Sequence, residues 1–303
     1  MSISLRIKNS LKNNYILAKL LYRYKLDKSS IGPRPIVIYQ MGKVGSTSIR
    51  DAVEFLGSFS SVFHVHTLSD RGIQAMEKRY WGNTPVVLRR SLLPETTHVF
   101  ISHSLKSQFS KNTDVRWKII TLVRDPIARN VSEFFYSVDT EKSDPHIPNF
   151  YERYRSGDIK TPELIDRFLE RFSEESEEYA VPLDWFDEEF RGVTGVDVYS
   201  TKFPESAGFQ IVRAASSDIL ILKLERLADC YRQAFHEFLD SQNMRLVSAN
   251  TASQKQYHAA YTSFMKEVNL PFQYVSRIYT SKYVRHFYSD QEIEKFMKKW
   301  HKA

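Results

Sequence analysis

The fold of this chain is decided by one stretch, Ile36-Val-Ile-Tyr-Gln-Met-Gly-Lys-Val-Gly-Ser-Thr-Ser48. Its first residues are apolar and mostly β-branched, a composition that predicts a short buried strand. The glycines and hydroxyl residues after it predict a turn, and helical spacing of apolar residues follows over 48–56. A strand, a glycine-containing loop and a helix in this order present backbone N–H groups and a helix N-terminus to an anion. The stretch therefore predicts a phosphate-binding loop.

Apolar runs and helical patterns alternate along the rest of the chain. Strands are predicted at 62–66, 97–102, 117–123, 209–213 and 218–224, the last two as antiparallel neighbours. Helices are predicted at 70–80, 127–138, 162–173, 183–190, 225–240, 255–268 and 290–300. This alternation predicts an α/β fold, three-layer α/β/α with a mostly parallel central sheet, whose ligands lie beyond the carboxyl ends of the strands.

Composition sets the domain organisation. With 303 residues, 42% hydrophobic and 14% aromatic, the chain can bury a large core. Prolines at 33 and 35 separate a basic extension, residues 1–33, from one main domain, residues 34–303. Within that domain, residues 139–208 are richer in charged and aromatic side chains, and we expect them to form an insertion on the acceptor side.

The net charge of +7 is concentrated at the N-terminus. Seven basic residues and one acidic residue lie among the first thirty, so that segment alone carries +6. The remainder is close to neutral, which argues against a broad nucleic-acid-binding surface. Apolar residues recur among these basic ones at helical spacing. The pattern fits a helix that docks on an anionic membrane through residues 1–30, or one that packs on the protein's own body, which is the commoner case.

Cysteine usage and hydropathy indicate the compartment. Cys230 is the single cysteine, so the chain has neither an intrachain disulfide nor a cysteine cluster for zinc. No stretch approaches the roughly twenty apolar residues of a membrane span, and the N-terminus lacks the apolar core of a signal peptide. We expect a cytoplasmic protein, either free or peripheral at the inner membrane face.

The order of residues in the loop distinguishes two classes of phosphate site. In the Walker A pattern a lysine follows the second glycine, whereas Lys43 precedes Gly45. The order in 40–48 resembles the 5′-phosphosulfate loop of sulfotransferases that use 3′-phosphoadenosine 5′-phosphosulfate (PAPS), where a lysine, a spacer, a glycine and two hydroxyl residues recur. Taken alone, the loop also fits a turn capped by Ser46.

A second element resembles the same family. Arg124 ends the strand predicted at 117–123, and Ser132 lies eight positions later in the next predicted helix. The family places an arginine and a serine at this interval against the 3′-phosphate, and a guanidinium with a hydroxyl suits that dianion. By itself, Arg124 also fits an ion pair with Asp125.

The resemblance implies a P-loop-like sulfotransferase fold, PAPS as co-substrate, 3′,5′-ADP as product and no metal. The nucleotide-binding residues that it implies are Lys43, Val44, Gly45, Ser46, Thr47, Ser48, Arg124 and Ser132. Lys43 is also expected to act in catalysis, on the leaving oxygen. The arginine-lysine-glycine signature of cytosolic sulfotransferases is missing, and residues 250–255 fit either a nucleotide cover or a helix start.

Transfer to a sugar hydroxyl requires a base, most often histidine. His103 follows the strand predicted at 97–102 and precedes Arg124 by 21 residues. That placement resembles the catalytic histidine of cytosolic sulfotransferases and of heparan sulfate 2-O-sulfotransferase, so we expect His103 to be the base. The rival candidates are His66, His64 and Glu54.

The acceptor is expected to be a carbohydrate. Residues 182–187 and 282–288 resemble capsular polysaccharide synthesis proteins of bacteria, and residues 219–227 resemble a late strand of the sulfotransferases. Aromatic side chains can stack on sugar faces and arginines can bind acidic groups. The candidates for acceptor contacts are His66, Tyr136, Trp185, Phe186, Tyr151, Arg153 and Arg155.

Two other functions fit the same sequence. A P-loop kinase or nucleotidase shares the strand, loop and helix, but needs an acidic Mg²⁺ ligand, for which Asp125 is the nearest candidate. A non-catalytic, membrane-peripheral protein of polysaccharide assembly would explain the basic N-terminus. The sequence favours a sulfotransferase that acts on a polysaccharide or oligosaccharide hydroxyl.

Overall fold

A computed structural model describes residues 14–29, 36–57, 62–91, 96–111, 116–139, 150–246 and 256–302. Five of its strands form one sheet: β1 (Ile36–Tyr39), β2 (Val62–Val65), β3 (Trp117–Val123), β4 (Phe209–Arg213) and β5 (Ser217–Lys223). Their order is β2-β1-β3-β5-β4, and every pairing is parallel except that of β4 with β5. The α/β class, the mostly parallel sheet and the antiparallel last pair are confirmed.

The helices follow the strands along the chain. Their bounds are α1 (Tyr15–Ser29), α2 (Ser46–Phe55), α3 (Asp70–Trp81), α4 (Thr97–Lys111), α5 (Pro126–Asp139), α6 (Phe150–Ser156), α7 (Thr161–Arg171), α8 (Glu177–Trp185), α9 (Arg191–Thr194), α10 (Leu227–Leu239), α11 (His258–Glu267), α12 (Phe272–Tyr279), α13 (Lys282–Phe287) and α14 (Asp290–Trp300). A π-helical turn, Phe186–Phe190, joins α8 to α9. Every residue of β1 and β5 is buried, so protein covers both faces of the central strands.

The strand order creates a topological switch point at the carboxyl ends of β1 and β3, which is called the crevice below. From β1 the chain moves to β2 on one side, then crosses to β3 on the other side of β1. From β3 the chain continues to β4 and β5, which lie beyond β3 on the side away from β1. The loops that leave β1 and β3 therefore run in opposite directions from two adjacent strands. In open parallel sheets this switch point is where ligands bind. Residues 40–45 and Arg124 lie at this edge.

The strand predicted at 97–102 is wrong, because these residues begin α4. Val99 and Phe100 pack with Tyr15 of α1, whereas Leu105 joins the main core. A helix that is buried on more than one side has no polar face. Its apolar run then cannot be told from a buried strand by periodicity, and the β-branched residues favoured the wrong choice.

Helix α1 packs on the body of the protein. Tyr15, Ala18 and Leu26 are buried, and the Tyr15 ring meets the edges of Trp81 and Phe100. Of the two predictions made for this segment, membrane docking and packing on the protein's own body, the second is therefore correct for the buried face of α1. Residues 1–13 and 30–33 of the predicted extension lie outside the described residues.

The segment predicted as an insertion shares the main core. Leu164 and Phe168 of α7 are buried in the same cluster as β1 and β3, and the Phe168 ring lies 5.7 Å from that of Phe264 in α11. Residues 140–149 lie outside the described part. The helices predicted at 162–173 and 183–190 correspond to α7 and to the end of α8 with its π-helical turn.

A buried carboxylate locks the C-terminal helices to the end of β3. The Asp125 side chain accepts hydrogen bonds from the Tyr279 hydroxyl at 2.7 Å and from Trp300 Nε1 at 2.9 Å. It also caps α5 by accepting from the Ile127 amide at 3.1 Å. These bonds explain why Trp300, near the end of the chain, is fully buried. They also fix the backbone beside Arg124.

We expect Asp125→Ala to lower the free energy of unfolding by about 3 kcal/mol or more, because it leaves three buried donors without an acceptor. Urea unfolding followed by tryptophan fluorescence measures the change. Asp229→Ala is the matched control, since Asp229 forms an exposed ion pair with Arg226 worth about 0.5 kcal/mol or less. Equal losses in the two variants would contradict this assignment.

Candidate functional site

The loop after β1 is shaped to hold an anion. Lys43 and Gly45 adopt left-handed backbone angles, with φ of 70° and 85°. Helix α2 begins at Ser46, and no side chain caps its N-terminus, where Gly45 is the N-cap residue. Backbone N–H groups at such a terminus attract negative charge. The loop thus leads into a helix start whose backbone N–H groups have no side-chain cap, and phosphate binding at this place stays a prediction.

Two arginines orient the loop. Arg124 Nη1 donates to the Lys43 carbonyl at 2.7 Å, and Arg129 Nε donates to the Gly42 carbonyl at 3.1 Å. The C=O and N–H of a trans peptide point in opposite directions. The amides of Lys43 and Val44 therefore point away from the guanidinium groups, toward the cradle. One hydrogen bond uses only one of the five N–H donors of Arg124.

Sequence reasoning missed Arg129. Its guanidinium is buried, donates to Asn130 Oδ1 at 3.0 Å and lies 3.7 Å from the Glu133 carboxylate. Burial lowers the pKa of Arg129, and Glu133 opposes that effect. A buried cation beneath the loop adds positive potential at the site. Its only sequence signal was an arginine among the apolar positions of a predicted helix.

Ser132 lies near the loop lysine. It is half-buried on α5, one helical turn before Tyr136 and therefore on the same face. Lys43 Nζ lies 3.0 Å from the centre of the Tyr136 ring. The predicted pair of Arg124 and Ser132 thus flanks the loop, although no hydrogen bond between Ser132 and the loop is observed. Lys43 covers one face of the exposed Tyr136 ring.

A polar network lies beneath the start of α2. The buried amide Nε2 of Gln40 donates to Ser46 Oγ at 2.8 Å, and Ser46 Oγ lies 2.9 Å from His64 Nε2. Burial, with a smaller effect of the neighbouring His66, lowers the pKa of His64 to about 3. His64 is therefore neutral near pH 7 and orients Ser46. Gln40 Oε1 is buried without a hydrogen-bond partner among the described residues.

His66 lies at the mouth of the crevice. It follows the last residue of β2, and its side chain is exposed. Its Nδ1 lies 3.1 Å from the Gln40 carbonyl and 3.2 Å from Gln40 Nε2, so Gln40 holds the imidazole in place. When Nδ1 donates to the carbonyl, the Nε2 lone pair is available as a base. Burial lowers the pKa of His66, the hydrogen bond to the Gln40 carbonyl and the Glu133 charge oppose this effect, and the charges of Arg129 and Lys43 add to it.

His103 lies elsewhere. It projects from α4 rather than from a strand end, and its Nε2 lies 2.6 Å from the Glu77 carboxylate. Burial lowers the pKa of His103 more than Glu77 raises it, so the imidazole is neutral and donates to Glu77. His103 was expected at the sheet edge because a strand was predicted at 97–102, but these residues are helical. No contact joins His103 to the phosphate loop among the described residues.

The predicted acceptor contacts separate into exposed and buried side chains. Trp185 and Phe186 are buried, so neither presents a ring face to a sugar, which corrects that expectation. Tyr136 is exposed. Arg153 and Arg155 lie on α6, and no contact of theirs with the loop residues is observed. The Tyr151 side chain and residues 250–255 lie outside the described part.

Trp185 instead supports the histidine. Its indole Nε1 donates to the His66 carbonyl at 3.2 Å. Glu189, in the π-helical turn, accepts from the amides of Leu68 and Ser69 at 2.5 and 2.8 Å and from the Tyr39 hydroxyl at 2.6 Å. These bonds fix the segment after β2. The sequence did not indicate this role of Glu189, because a glutamate with acidic neighbours is normally expected on a solvent-exposed surface.

The other loop is held by tyrosines and a glutamate. The Tyr283 hydroxyl accepts from the Arg124 amide and donates to the Arg124 carbonyl, both at 3.0 Å. Glu225 accepts from the Asp125 amide at 2.7 Å and from the Tyr288 hydroxyl at 3.1 Å. Both ends of the crevice are therefore braced by residues from the C-terminal half.

Comparison with known proteins adds one match. Residues 165–289, about two fifths of the chain, match the model of a family described as "Putative capsular polysaccharide synthesis protein". The matched part includes Trp185, Glu189, Glu225 and Tyr283, which brace the two loops, but neither Lys43 nor Arg124. A search of curated proteins finds no match. The resemblance to capsular polysaccharide synthesis proteins that the sequence suggested is thus supported over this part.

Gly45 offers a test of the cradle. A Cβ at Gly45 would lie 2.7 Å from Leu224 Cδ1, and the residue has a φ of 85°. Gly157 has a φ of 81° with no neighbouring atom within 4 Å. We expect Gly157→Ala to cost about 1–2 kcal/mol of unfolding free energy through its backbone angle alone. Gly45→Ala should cost more, because Leu224 must also move.

The same substitutions in a Leu224→Ala background separate the two causes. The extra cost of Gly45→Ala should then disappear, leaving a loss equal to that of Gly157→Ala in urea unfolding. If Gly45→Ala costs no more than Gly157→Ala in the unaltered chain, the close approach of Leu224 does not constrain the loop.

Proposed function

We propose that this protein is a sulfotransferase that moves the sulfuryl group of PAPS to a hydroxyl of a carbohydrate, and releases 3′,5′-ADP. The observation that carries the proposal is the contact between two strand-end elements. The guanidinium of Arg124, at the end of β3, hydrogen-bonds the Lys43 carbonyl in the loop after β1. One ligand with a phosphate at each end can bridge these elements. The finer proposal of a P-loop-like, three-layer sulfotransferase fold rests on the same arrangement.

The residues fit such a ligand. The uncapped N-terminus of α2 and the amides of 43–47 suit the 5′-phosphate, and the left-handed φ of 85° favours glycine at residue 45 of the loop. Arg124 retains N–H donors beyond its bond to Lys43, and Ser132 lies on the adjoining helix face, so this pair suits the 3′-phosphate. Thr47 and Ser48 extend the hydroxyl row in the first turn of α2.

The reaction needs charge stabilisation and one proton transfer. The acceptor oxygen forms a bond to sulfur while the bond from sulfur to the 5′-phosphate oxygen breaks, and negative charge grows on that leaving oxygen. Lys43, on its flexible stem above Tyr136, neutralises this charge together with the loop amides. The acceptor proton passes to a base on the opposite side of the sulfuryl group.

His66 supports the role of base better than His103. Its Nδ1 is held by Gln40, the residue directly before the loop, and burial lowers the pKa of its imidazole, so that it is neutral and able to accept a proton near pH 7. His103 is instead bonded to Glu77. We therefore propose His66 as the catalytic base, with Trp185 and Glu189 as positioning residues.

A carbohydrate acceptor is supported by the family match. Residues 165–289 match a family whose description concerns capsular polysaccharide synthesis. This part of the chain borders the crevice through Trp185 and Glu225. The kinase alternative is less well supported. Its nearest acidic metal ligand, Asp125, already accepts hydrogen bonds from Tyr279, Trp300 and the Ile127 amide.

Calorimetry with three nucleotides tests the two-phosphate site. We expect 3′,5′-ADP to bind about 10–100-fold more tightly than 5′-AMP, since a charge-assisted contact to the 3′-phosphate is worth about 1.5–3 kcal/mol. Arg124→Ala should abolish that preference. Arg213→Ala is the control, because Arg213 also ends a strand but pairs with Asp218 at the start of β5, the opposite sheet edge. Tighter binding of ATP with Mg²⁺ than of 3′,5′-ADP would favour the kinase.

The base is tested by a pair of histidine variants. With radiolabelled PAPS and a panel of capsule-type oligosaccharides, we expect His66→Asn to slow sulfuryl transfer about 10²–10⁴-fold while 3′,5′-ADP still binds. His103→Asn should change the rate by only a few fold. The reverse ranking would return the role to His103, and unchanged rates in both variants would contradict a histidine base.

A further inference from the structure

The described residues carry one contiguous region of exposed apolar side chains. Of the ten large hydrophobic residues that are exposed, seven lie on α1 and on the single turn of 3₁₀ helix that follows α3. These seven, named here the apolar ridge, are Ile16, Leu17, Leu20, Tyr24, Val86, Val87 and Leu88. Monomeric soluble proteins seldom expose apolar clusters of this kind without a function.

The two parts of the ridge adjoin. The Tyr15 amide donates to the Arg89 carbonyl at 3.3 Å, and Asn14 forms an antiparallel bridge with Arg90. The turn Val86–Leu88 therefore ends beside the first turn of α1. Within α1 the residues of the ridge are spaced at helical intervals, so they share one face. That face is distinct from the one that packs on α4.

The other face of α1 is fastened to the body. The Tyr15 hydroxyl donates to the Glu77 carboxylate, which also accepts from His103 at 2.6 Å and from Arg89 at 3.0 Å. Burial would raise the pKa of Glu77, but the three hydrogen bonds together outweigh it and lower the pKa. Glu77 is thus ionised, and it anchors both parts of the ridge. This cluster explains what His103 does in the structure.

Basic side chains surround the ridge. Helix α1 contains Lys19, Arg23, Lys25 and Lys28 against a single acidic residue, Asp27, and Arg89 and Arg90 follow the exposed turn. Arg23, Lys25 and Arg90 are exposed. The preceding residues add Arg6, Lys8 and Lys12 in sequence and no acidic residue. An apolar strip flanked by lysine and arginine is complementary to the surface of an anionic bilayer.

We propose that the apolar ridge is a membrane-docking surface that inserts into the headgroup region of an anionic lipid bilayer. No helix among the described residues is long and apolar enough to cross a membrane, so the contact is interfacial. The helix and the turn form a rigid pair, because Glu77 holds both. The proposal does not depend on the sulfuryl transfer, since none of its residues belongs to the phosphate loop or its arginines.

Vesicle co-sedimentation tests the surface with the full chain. We expect binding to vesicles of equal parts phosphatidylglycerol and phosphatidylcholine, weaker binding to phosphatidylcholine alone, and a decrease as salt is raised. The triple variant Leu20→Ser, Val87→Ser, Leu88→Ser should bind at least tenfold more weakly, and Arg23→Glu with Arg90→Glu should lose the preference for anionic lipid. Phe272→Ser is the matched control, since Phe272 and Leu20 are each 55% exposed.

Several results would overturn the proposal. Unchanged vesicle binding by the triple variant would do so, provided that its urea unfolding matches that of the unaltered chain. So would binding that is lost only on deletion of residues 1–13. Light scattering gives a further outcome. If the unaltered chain is a dimer that does not bind vesicles, and the triple variant is a monomer, the ridge is an interface between two copies of the chain instead.

Discussion

The structure depends on the parallel pairing of β1 with β3, which joins two loops that are far apart in the chain. Ile36 pairs with Lys118 and Ile38 with Ile120, so the carboxyl ends of the two strands lie at the same edge of the sheet. The Arg124 guanidinium can then reach the Lys43 carbonyl, and the loop amides turn toward the crevice. Without this pairing, the phosphate loop would be an isolated turn, and Arg124 would be a surface arginine.

Residues distant in sequence keep this arrangement in place. Asp125 and Glu225 accept hydrogen bonds from Tyr279 and Tyr288 of the C-terminal region, while Trp185 and Glu189 hold the segment that carries His66. A buried carboxylate is stable only when each oxygen has donors, and these side chains provide them. The region that matches a capsular polysaccharide synthesis family is therefore the support of the crevice, whereas the proposed nucleotide contacts precede it.

The proposed nucleotide site and the proposed membrane surface lie on either side of one helix. Helix α4 lies between β2 and α1, so it separates the crevice from the apolar ridge. His103 belongs to the second face, where Glu77 links it to Tyr15 and Arg89. His103, which was predicted as the base from its position 21 residues before Arg124, thus contacts Glu77 in the structure. His66, which Gln40 holds beside the loop, is the proposed base.

The sequence by itself determined the α/β class, the loop after β1 and the strand that ends at Arg124. These depend on local composition, namely β-branched runs and a glycine-containing turn, which short-range sterics translate into structure. Tertiary structure alone decided that residues 97–102 are helical, that Trp185 is buried and that Arg129 lies beneath the loop. Each of these depends on which elements become neighbours. Burial on two sides erases the polar face by which a helix is recognised, and a side chain's partners come from strands and helices far away in the chain.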